Sequence, residues 1–372
     1  MNDNKQIKIA QIIGKWVGGG VEAVVMNYYC QIDKTKIQFD FICDDDSTNI
    51  PYEEIEALGG KVILIPPYQH VFKYHKELKR VLKEGKYKIV HSHINTLSVF
   101  SLFAAKCVGV PVRIAHSHST TNKKEKKKNL MKQLLRPFSR LFATDYMCCS
   151  ELAGRWLFGD KEYDKGNVYL LNNAIDVDKF KYDENVRKEV RNELGIKDDT
   201  FVVGHIGRFV EAKNHLFLIE IFKEIYIKNK NSVLILAGQG SLQNNIKDKV
   251  EQLGLKDNVI FLGQRDDANR LYQAMDVFLF PSLYEGLGMV LIEAQCSGIP
   301  CVCSNEVPVE AQITKNVACI NLNETSDRWV EEILKMYNIV RRTNQEEAVR
   351  KRGYDIKKEV RILEQIYLRL II

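Results

Sequence analysis

Thirteen short apolar runs, each followed by a longer polar or amphipathic stretch, constrain this 372-residue chain more than any other feature. The first series is IKIAQII (7–13), QFDFIC (38–43), KVILIP (61–66), KIVHSH (88–93), VRIAHSH (112–118), DYMCCS (145–150) and VYLLNN (168–173). Runs of this length without polar alternation read as strands buried on both faces of a parallel sheet. Helical patterns such as VEAVVMNYYCQI and SVFSLFAAKCV fill the gaps. The stretch 178–200, DKFKYDENVRKEVRNELGIKDDT, is polar, holds one helical segment and reads as a linker. A second series follows: FVVGHIG (201–207), SVLILAG (232–238), VIFLG (259–263), VFLFPS (277–282), PCVCS (300–304) and ACINL (318–322). The expected fold class is α/β, with two Rossmann-like doubly wound domains in tandem facing a central cleft. In such sheets ligands bind beyond the carboxyl ends of the strands, so the residues just after each strand matter most.

Composition narrows the class. Length alone suggests two domains at about 150 residues each. A hydrophobic content of 45% with 27% charged residues suits sizeable cores. No apolar run nears the roughly 20 residues that span a bilayer. The start, MNDNKQIKIAQII, lacks the pattern of a signal peptide and reads as a first strand. Nine cysteines without paired spacing imply free core thiols in a reducing compartment, the cytosol. The net charge of +6 is uneven. Residues 1–180 carry 27 Lys and Arg against 20 Asp and Glu, and the remainder 27 against 28. The N-terminal half is therefore expected to meet something anionic.

Three strand ends carry chemistry. After the first run, Gly18, Gly19 and Gly20 precede a helix, so bare backbone and helix amides can approach a phosphate or a sugar. Gly18-x-Gly20-x-x-Ala23, with Asp44 ending the next strand, also fits a loose dinucleotide fingerprint. In GRFVEAKNHLFLIE, Arg208 and Lys213 flank the loop into a helix, where two cations can hold a diphosphate. In SLYEGLGMVLIEA, Glu285 lies in the loop before a helix that starts near Gly288. Glu293 lies inside that helix among Met289, Val290, Leu291, Ile292 and Ala294. An unpaired carboxylate is costly to bury there, and it can accept hydrogen bonds from vicinal hydroxyls. The amides of Gly286, Leu287, Gly288 and Met289 can receive anionic oxygen.

GGGVE, GRF…K, GQGS (238–241), FLGQRDD (261–267) and EGLGMVLIEA together resemble the retaining nucleotide-sugar glycosyltransferases of family 4, which have the GT-B fold. LLNNAIDVDKF (170–180) resembles their interdomain segment, with Ala174 where glycine is usual. YDIKKEVRILEQIYLRL resembles the helix that crosses back onto the N-terminal domain. IIGKWVGGGVEAVVMNYY and RIAHSHST point to the bacterial capsule and exopolysaccharide subgroup. The resemblance implies an acceptor-binding domain at 1–177, completed by a helix at about 354–372, and a donor-binding domain at 178–353. It implies that Arg208 and Lys213 stabilise the leaving diphosphate, an electrostatic form of catalysis. Glu285 would grip the donor sugar and Glu293 the ribose. Gly286, Leu287, Gly288, Met289 and Val290 would line the same substrate, Gly19 and Gly20 would lie against the diphosphate, and Gln264 and Arg265 would border the base. The family places a sugar-contacting histidine after the fifth strand. His116 and His118 both qualify; His118 is nearer the strand's end, and His93 ends the fourth strand similarly.

The reaction implied is same-face attack, with the leaving phosphate taking the acceptor's proton. It involves no carboxylate nucleophile, no metal and no cofactor. The expected donor is a UDP-sugar, and the acceptor a lipid-linked saccharide. Between Lys123 and Arg140 stand eight cations and one acid, and Leu130, Leu134, Leu135, Phe138, Leu141 and Phe142 recur at near-helical spacing. A basic amphipathic helix over about 123–142 is expected to meet an anionic membrane surface, its apolar stripe packed on the sheet. That makes the chain a peripheral protein of the cytoplasmic membrane face. Nucleic acid is not an expected partner. The rivals are a nicotinamide-dependent oxidoreductase using Gly18, Gly20 and Asp44, a nucleotide-sugar 2-epimerase, and a non-catalytic partner subunit.

Overall fold

All thirteen expected strands are present in the computed structural model, which describes residues 6–119 and 126–372. In the first unit they are β1 (Ile7–Gly14), β2 (Ile37–Asp44), β3 (Lys61–Ile65), β4 (Ile89–Ser92), β5 (Val112–Ser117), β6 (Asp145–Cys148) and β7 (Val168–Leu170). In the second they are β8 (Phe201–Ile206), β9 (Ser232–Ala237), β10 (Val259–Gly263), β11 (Val277–Phe280), β12 (Cys301–Ser304) and β13 (Val317–Ile320). The sheet orders are β3-β2-β1-β4-β5-β6-β7 and β10-β9-β8-β11-β12-β13, with every pairing parallel. Each order reverses direction next to its first strand, which marks the switch points β1/β4 and β8/β11.

Alternation within each strand explains why both faces need cover. In the first sheet Ile9, Phe39, Phe41, Ile89 and Ile114 share a core with Val24 and Tyr28 of the helix Gly20–Gln31, and with Leu363 and Tyr367 of the helix Ile356–Leu370. Ala10, Ile12, Ile42, Val90 and Ala115 point the other way, onto Leu78, Leu82 and Leu102. All nine cysteines are free.

The chain divides into Met1–Ile175 with Asp355–Ile372, and Asp176–Tyr354. A bridge between Ile175 and Asp355 marks the exit and return of the chain. The helix Ile356–Leu370 is tied to the first unit by two backbone amides: Asp33 N–H donates to Glu364 Oε1 (2.7 Å) and Asn172 N–H to Glu359 Oε2 (3.2 Å). The first division falls two residues before the expected 177/178. The turn Val177–Phe180 belongs to the second unit, where Arg350 bonds Asp178 at 2.7 Å.

Two expectations fail here. The stretch 178–200 is not a linker but part of the second unit. Asp183 caps the helix Glu184–Glu193, and Arg187 and Arg191, one turn apart, reach the two oxygens of Asp276 at 2.6 and 2.8 Å. Asp276 also accepts the Val202 amide at 2.7 Å. The polarity that suggested solvent serves a buried charge cluster. The basic stretch also differs. Residues 120–125, including Lys123 and Lys124, lie outside the described residues. The helix Lys126–Leu135 stops before Pro137, and a 3₁₀ turn, Arg136–Phe138, follows. Most of its apolar stripe is not packed on the sheet: Leu130, Leu134, Phe138 and Leu141 are exposed, as is Met131 beside them, while Leu135 is half-buried and Phe142 packs against the core beside β5. The break at Pro137 divides the stripe, so Leu130 and Leu134 stand on the helix and Phe138, Leu141 and Phe142 beyond it.

Candidate active site

At the β8/β11 switch point the two following loops are stitched together. Asn214, in the left-handed conformation (φ 55°), donates from Nδ2 to Pro281 O at 3.1 Å. Leu283 N–H donates to Ala212 O at 2.8 Å. This brings Lys213, the end of a short 3₁₀ turn, onto Glu285, 72 positions away: Nζ lies 2.6 Å from Oε1. The ammonium also sits 4.9 Å from the centre of the Phe280 ring. The side chains are 18% and 9% exposed, so each charge depends on the other for most of its solvation. Arg208, on the same loop as Lys213, is exposed and has no side-chain partner among the described residues. Gly238 and Gly240, after β9, lie so close to the backbone of Gly207–Phe209 that no side chain would fit at either.

Glu285 leads into the helix Met289–Cys296 through Gly288, which has φ 88°. The amides of Gly286, Leu287 and Gly288 find no acceptor among the described residues, and those of Met289 and Val290 are first-turn amides without an intrahelical partner. Glu293 stands one turn further on, half-buried. The Tyr272 hydroxyl lies 2.9 Å from its Oε2 and 3.1 Å from Val290 O. Burial pushes the Glu293 carboxyl up to about 7, against the opposing pull of that hydroxyl and of Lys213. Gln264 and Arg265 follow the edge strand β10, two strands away from β8. Gln264 is exposed, and Arg265 is held by both oxygens of Asp267 (2.7 and 2.6 Å).

Beneath the Lys213 loop lie two histidines that the sequence did not single out. His205 Nδ1 meets Leu279 O at 2.9 Å, and its ring packs edge-on to His215 at 4.7 Å. Burial pushes the His215 imidazole down to about 4. Tyr272 and Phe280 were missed as well. Nothing in a helical tyrosine or a strand-end phenylalanine distinguishes them from core residues.

The first unit has its own two features. Gly18 takes φ 70°, and Gly19 caps the helix Gly20–Gln31. The Glu22 carboxylate folds back into this turn and accepts the Val17 amide at 3.0 Å. Beside it, His91, His93, His116 and His118 are all buried in one cluster. His91 Nε2 and His116 Nδ1 are 2.9 Å apart, as are His93 Nδ1 and His118 Nε2. His116 lies within β5 and His118 just beyond it, where its amide donates to Asn95 Oδ1 at 2.7 Å. Burial lowers all four imidazoles, His118 to about 3.

The glycosyl transferases group 1 family matches residues 186–354, and glycosyltransferase family 4 matches residues 18–179. EpsF of Bacillus subtilis, named as a glycosyltransferase, is 34% identical over 374 residues, which cover 98% of this chain and 97% of that one. The chain belongs to the family 4 (group 1) glycosyltransferases. An Escherichia coli UDP-Gal:α-D-GlcNAc-diphosphoundecaprenol α-1,3-galactosyltransferase is 26% identical, over 99% of this chain and 98% of its own length. A crystal structure of Anabaena HepE in complex with UDP and glucose superposes with a TM-score of 0.80 at 19% identity, covering 97% of this glycosyltransferase and 99% of HepE. That likeness shows a shared GT-B fold. With the family established, the dinucleotide reading of Gly18, Gly20 and Asp44 falls away. The Lys213–Glu285 pair lies in the group 1 part of this glycosyltransferase, and the histidine cluster in the family 4 part. Among the described residues no helix is long and apolar enough to cross a membrane.

Proposed function

We propose that this glycosyltransferase moves a hexosyl group from a UDP-sugar to a polyprenyl-diphosphate-linked saccharide, with retention, in capsule or exopolysaccharide synthesis. The observation that carries the reading is the Lys213–Glu285 pair at the β8/β11 switch point, with the unpartnered Arg208 on the same loop. Lys213 uses one of its three N–H bonds on Glu285. Its remaining donors, with Arg208 and the amides of Gly286–Val290, suit the oxygens of a departing diphosphate. Glu285 accepts from sugar hydroxyls with its second oxygen, and Glu293 accepts from the ribose. His118 contacts the donor sugar, with His116 stacked beside it and His93 bonded to it. Gln264 and Arg265 border the base.

In the reaction the acceptor hydroxyl oxygen bonds to the anomeric carbon while the bond from that carbon to the phosphate oxygen breaks. The hydroxyl proton passes to the departing phosphate on the same face, and UDP leaves. Lys213 and Arg208 balance the charge that develops on the phosphate, which is the work a metal would otherwise do, so the reading includes no metal. The first unit binds the acceptor. The acceptor's lipid chain is supported by the Escherichia coli relative's diphosphoundecaprenol substrate, and by the exposed Leu130, Met131, Leu134, Phe138 and Leu141 interleaved with Lys132, Arg136 and Arg140. That surface suits the inner face of a cell membrane.

The test is mass spectrometry of products after incubation with a panel of nucleotide-sugars and a polyprenyl-diphosphate-linked sugar acceptor. One added hexose from a UDP-sugar, with the anomeric configuration kept, is the expected product. No turnover across the panel, or an inverted linkage, would overturn the reading.

A further inference from the structure

The four buried histidines form two hydrogen-bonded branches that start at one hydroxyl. Tyr367 Oη lies 2.6 Å from His91 Nδ1, and His91 Nε2 lies 2.9 Å from His116 Nδ1. On the other side Gln11 Nε2 donates to Tyr367 Oη at 3.2 Å, Gln11 Oε1 is 2.8 Å from His93 Nε2, and His93 Nδ1 is 2.9 Å from His118 Nε2. Burial keeps all four rings neutral, so each ring carries one proton. The directions then follow from the two anchors. The amide oxygen of Gln11 can only accept, so His93 is protonated at Nε2 and its Nδ1 accepts. His118 must donate from Nε2, which leaves its Nδ1 as a bare acceptor. The Tyr367 hydroxyl accepts from Gln11 and gives its one proton to His91 Nδ1. His91 therefore donates from Nε2 to His116 Nδ1, and His116 ends in an Nε2–H. Those two terminal atoms, His118 Nδ1 and His116 Nε2, are the ring nitrogens of the cluster that have no partner.

A metal ion is the competing use, since His91, His93 and His116 bring ring nitrogens within 4.8 Å of one another. Both nitrogens of His91 and of His93 are already committed to hydrogen bonds. The His91 and His116 rings also lie within 10° of parallel, whereas ligands of one ion aim their lone pairs at a common point about 2.0–2.1 Å away. The hydrogen-bonded array accounts for every bonded nitrogen, and the metal does not.

We propose that Tyr367 and Gln11 are positioning residues that lock His118 in the Nε2–H tautomer, so that its Nδ1 accepts a hydrogen bond from a donor-sugar hydroxyl. This rests on the sugar-contacting role given to His118 above. The second branch ends in a donor, so the stacked His116 and His118 rings, 3.9 Å apart, end in one N–H and one lone pair, both buried while no sugar is bound. Such a pair selects a group that can both give and take a hydrogen bond, as a hydroxyl does.

The test uses the full-length chain with ¹⁵N-labelled histidine rings, read by two-bond proton–nitrogen correlation at neutral pH. Wild type is expected to show His118 as the neutral Nε2–H form. Tyr367→Phe removes the shared hydroxyl and is expected to mix the tautomers of both branches. It should also raise KM for the nucleotide-sugar about tenfold, the size of one neutral hydrogen bond, with a smaller change in kcat. Gln11→Leu cuts one branch only, so it should disturb His93 and His118 while leaving His91 and His116 as they were. General loosening of the fold would move both branches together. A wild-type His118 protonated at Nδ1, or variants with unchanged tautomers and KM, would overturn the proposal. If His118→Ala leaves KM unaltered, the sugar contact itself is wrong. If His118→Ala raises KM and Tyr367→Phe does not, the positioning role alone falls.

Discussion

The two polar centres of this glycosyltransferase meet the cost of burial in opposite ways. In the second unit, Lys213 and Glu285 keep full charges and hold them 2.6 Å apart. In the first, four imidazoles give up their charges and bond in two branches, one proton to each ring. A charged pair can lend its field to a departing anion. A neutral array fixes where protons sit and offers oriented dipoles rather than a net charge. The contrast fits one centre that stabilises a leaving group and another that reads hydroxyls.

Acid should break the comparison most strongly. The folded-state pKa values of His91, His93, His116 and His118 lie below that of an exposed histidine. Their neutral form contributes stability above about pH 6.5, and that stability is lost as pH falls toward the folded values. Each histidine that must take up a proton on unfolding adds a slope of about 1.4 kcal/mol per pH unit. His205 and His215 of the second unit add to it. Urea midpoints measured from pH 7.5 to 4.5 should fall steeply. A flat profile would mean that the imidazoles are not buried neutral.

The charged centre responds to truncation instead. Lys213→Ala is expected to cut transfer about 10²–10³-fold. It should also lower the melting temperature, because Glu285 is left without its partner, a loss of about 3 kcal/mol. Replacing both, Lys213→Met with Glu285→Leu, should recover the melting temperature but not the activity. Recovery of activity would remove the pair from the chemistry.

Glu293 sharpens the contrast, since its sign is reversed. Its folded pKa of about 7 lies above the ordinary carboxyl value. The stability it contributes is present below about pH 4.5 and lost as pH rises through about 7. It amounts to roughly 2 kcal/mol once partial exposure is allowed for. Hydroxyl donors favour the ionised form, so UDP should bind more tightly as pH rises through 7, and Glu293→Gln should flatten that dependence in calorimetric titrations. The smallest effect concerns the exposed stripe. Leu134→Asp is expected to weaken sedimentation with anionic vesicles several-fold, about 2 kcal/mol or less of lost burial, and to leave the melting temperature unchanged.

The strands were legible because a doubly covered parallel sheet has only one way of being written: short runs without polar alternation. Lys213 and Glu285 were legible as strand-end residues, but not as a pair, since the stitching by Asn214 and Ala212 is tertiary. The segment 178–200 was misread because Arg187 and Arg191 look like solvated charges until Asp276 is placed between them. The stripe at 130–142 was expected to pack, but Leu130 and Leu134 are exposed on the helix itself and Pro137 divides the rest from it. His91, His93, His116 and His118 were visible as strand-end histidines. Their grouping was not, because Gln11 and Tyr367, which anchor it, stand 356 positions apart.

That separation has a consequence for how the chain comes into being. The last of the four histidines is residue 118, and the helix that closes over them begins at Ile356. At about 5–20 residues per second, a ribosome needs on the order of ten to fifty seconds to travel from one to the other. By the end of that interval the second unit, which is contiguous from Asp176 to Tyr354, has been synthesised whole, while the first has stayed unsealed along one face. The half of the protein that is synthesised first is therefore completed last, and the imidazoles meet water before they meet Tyr367.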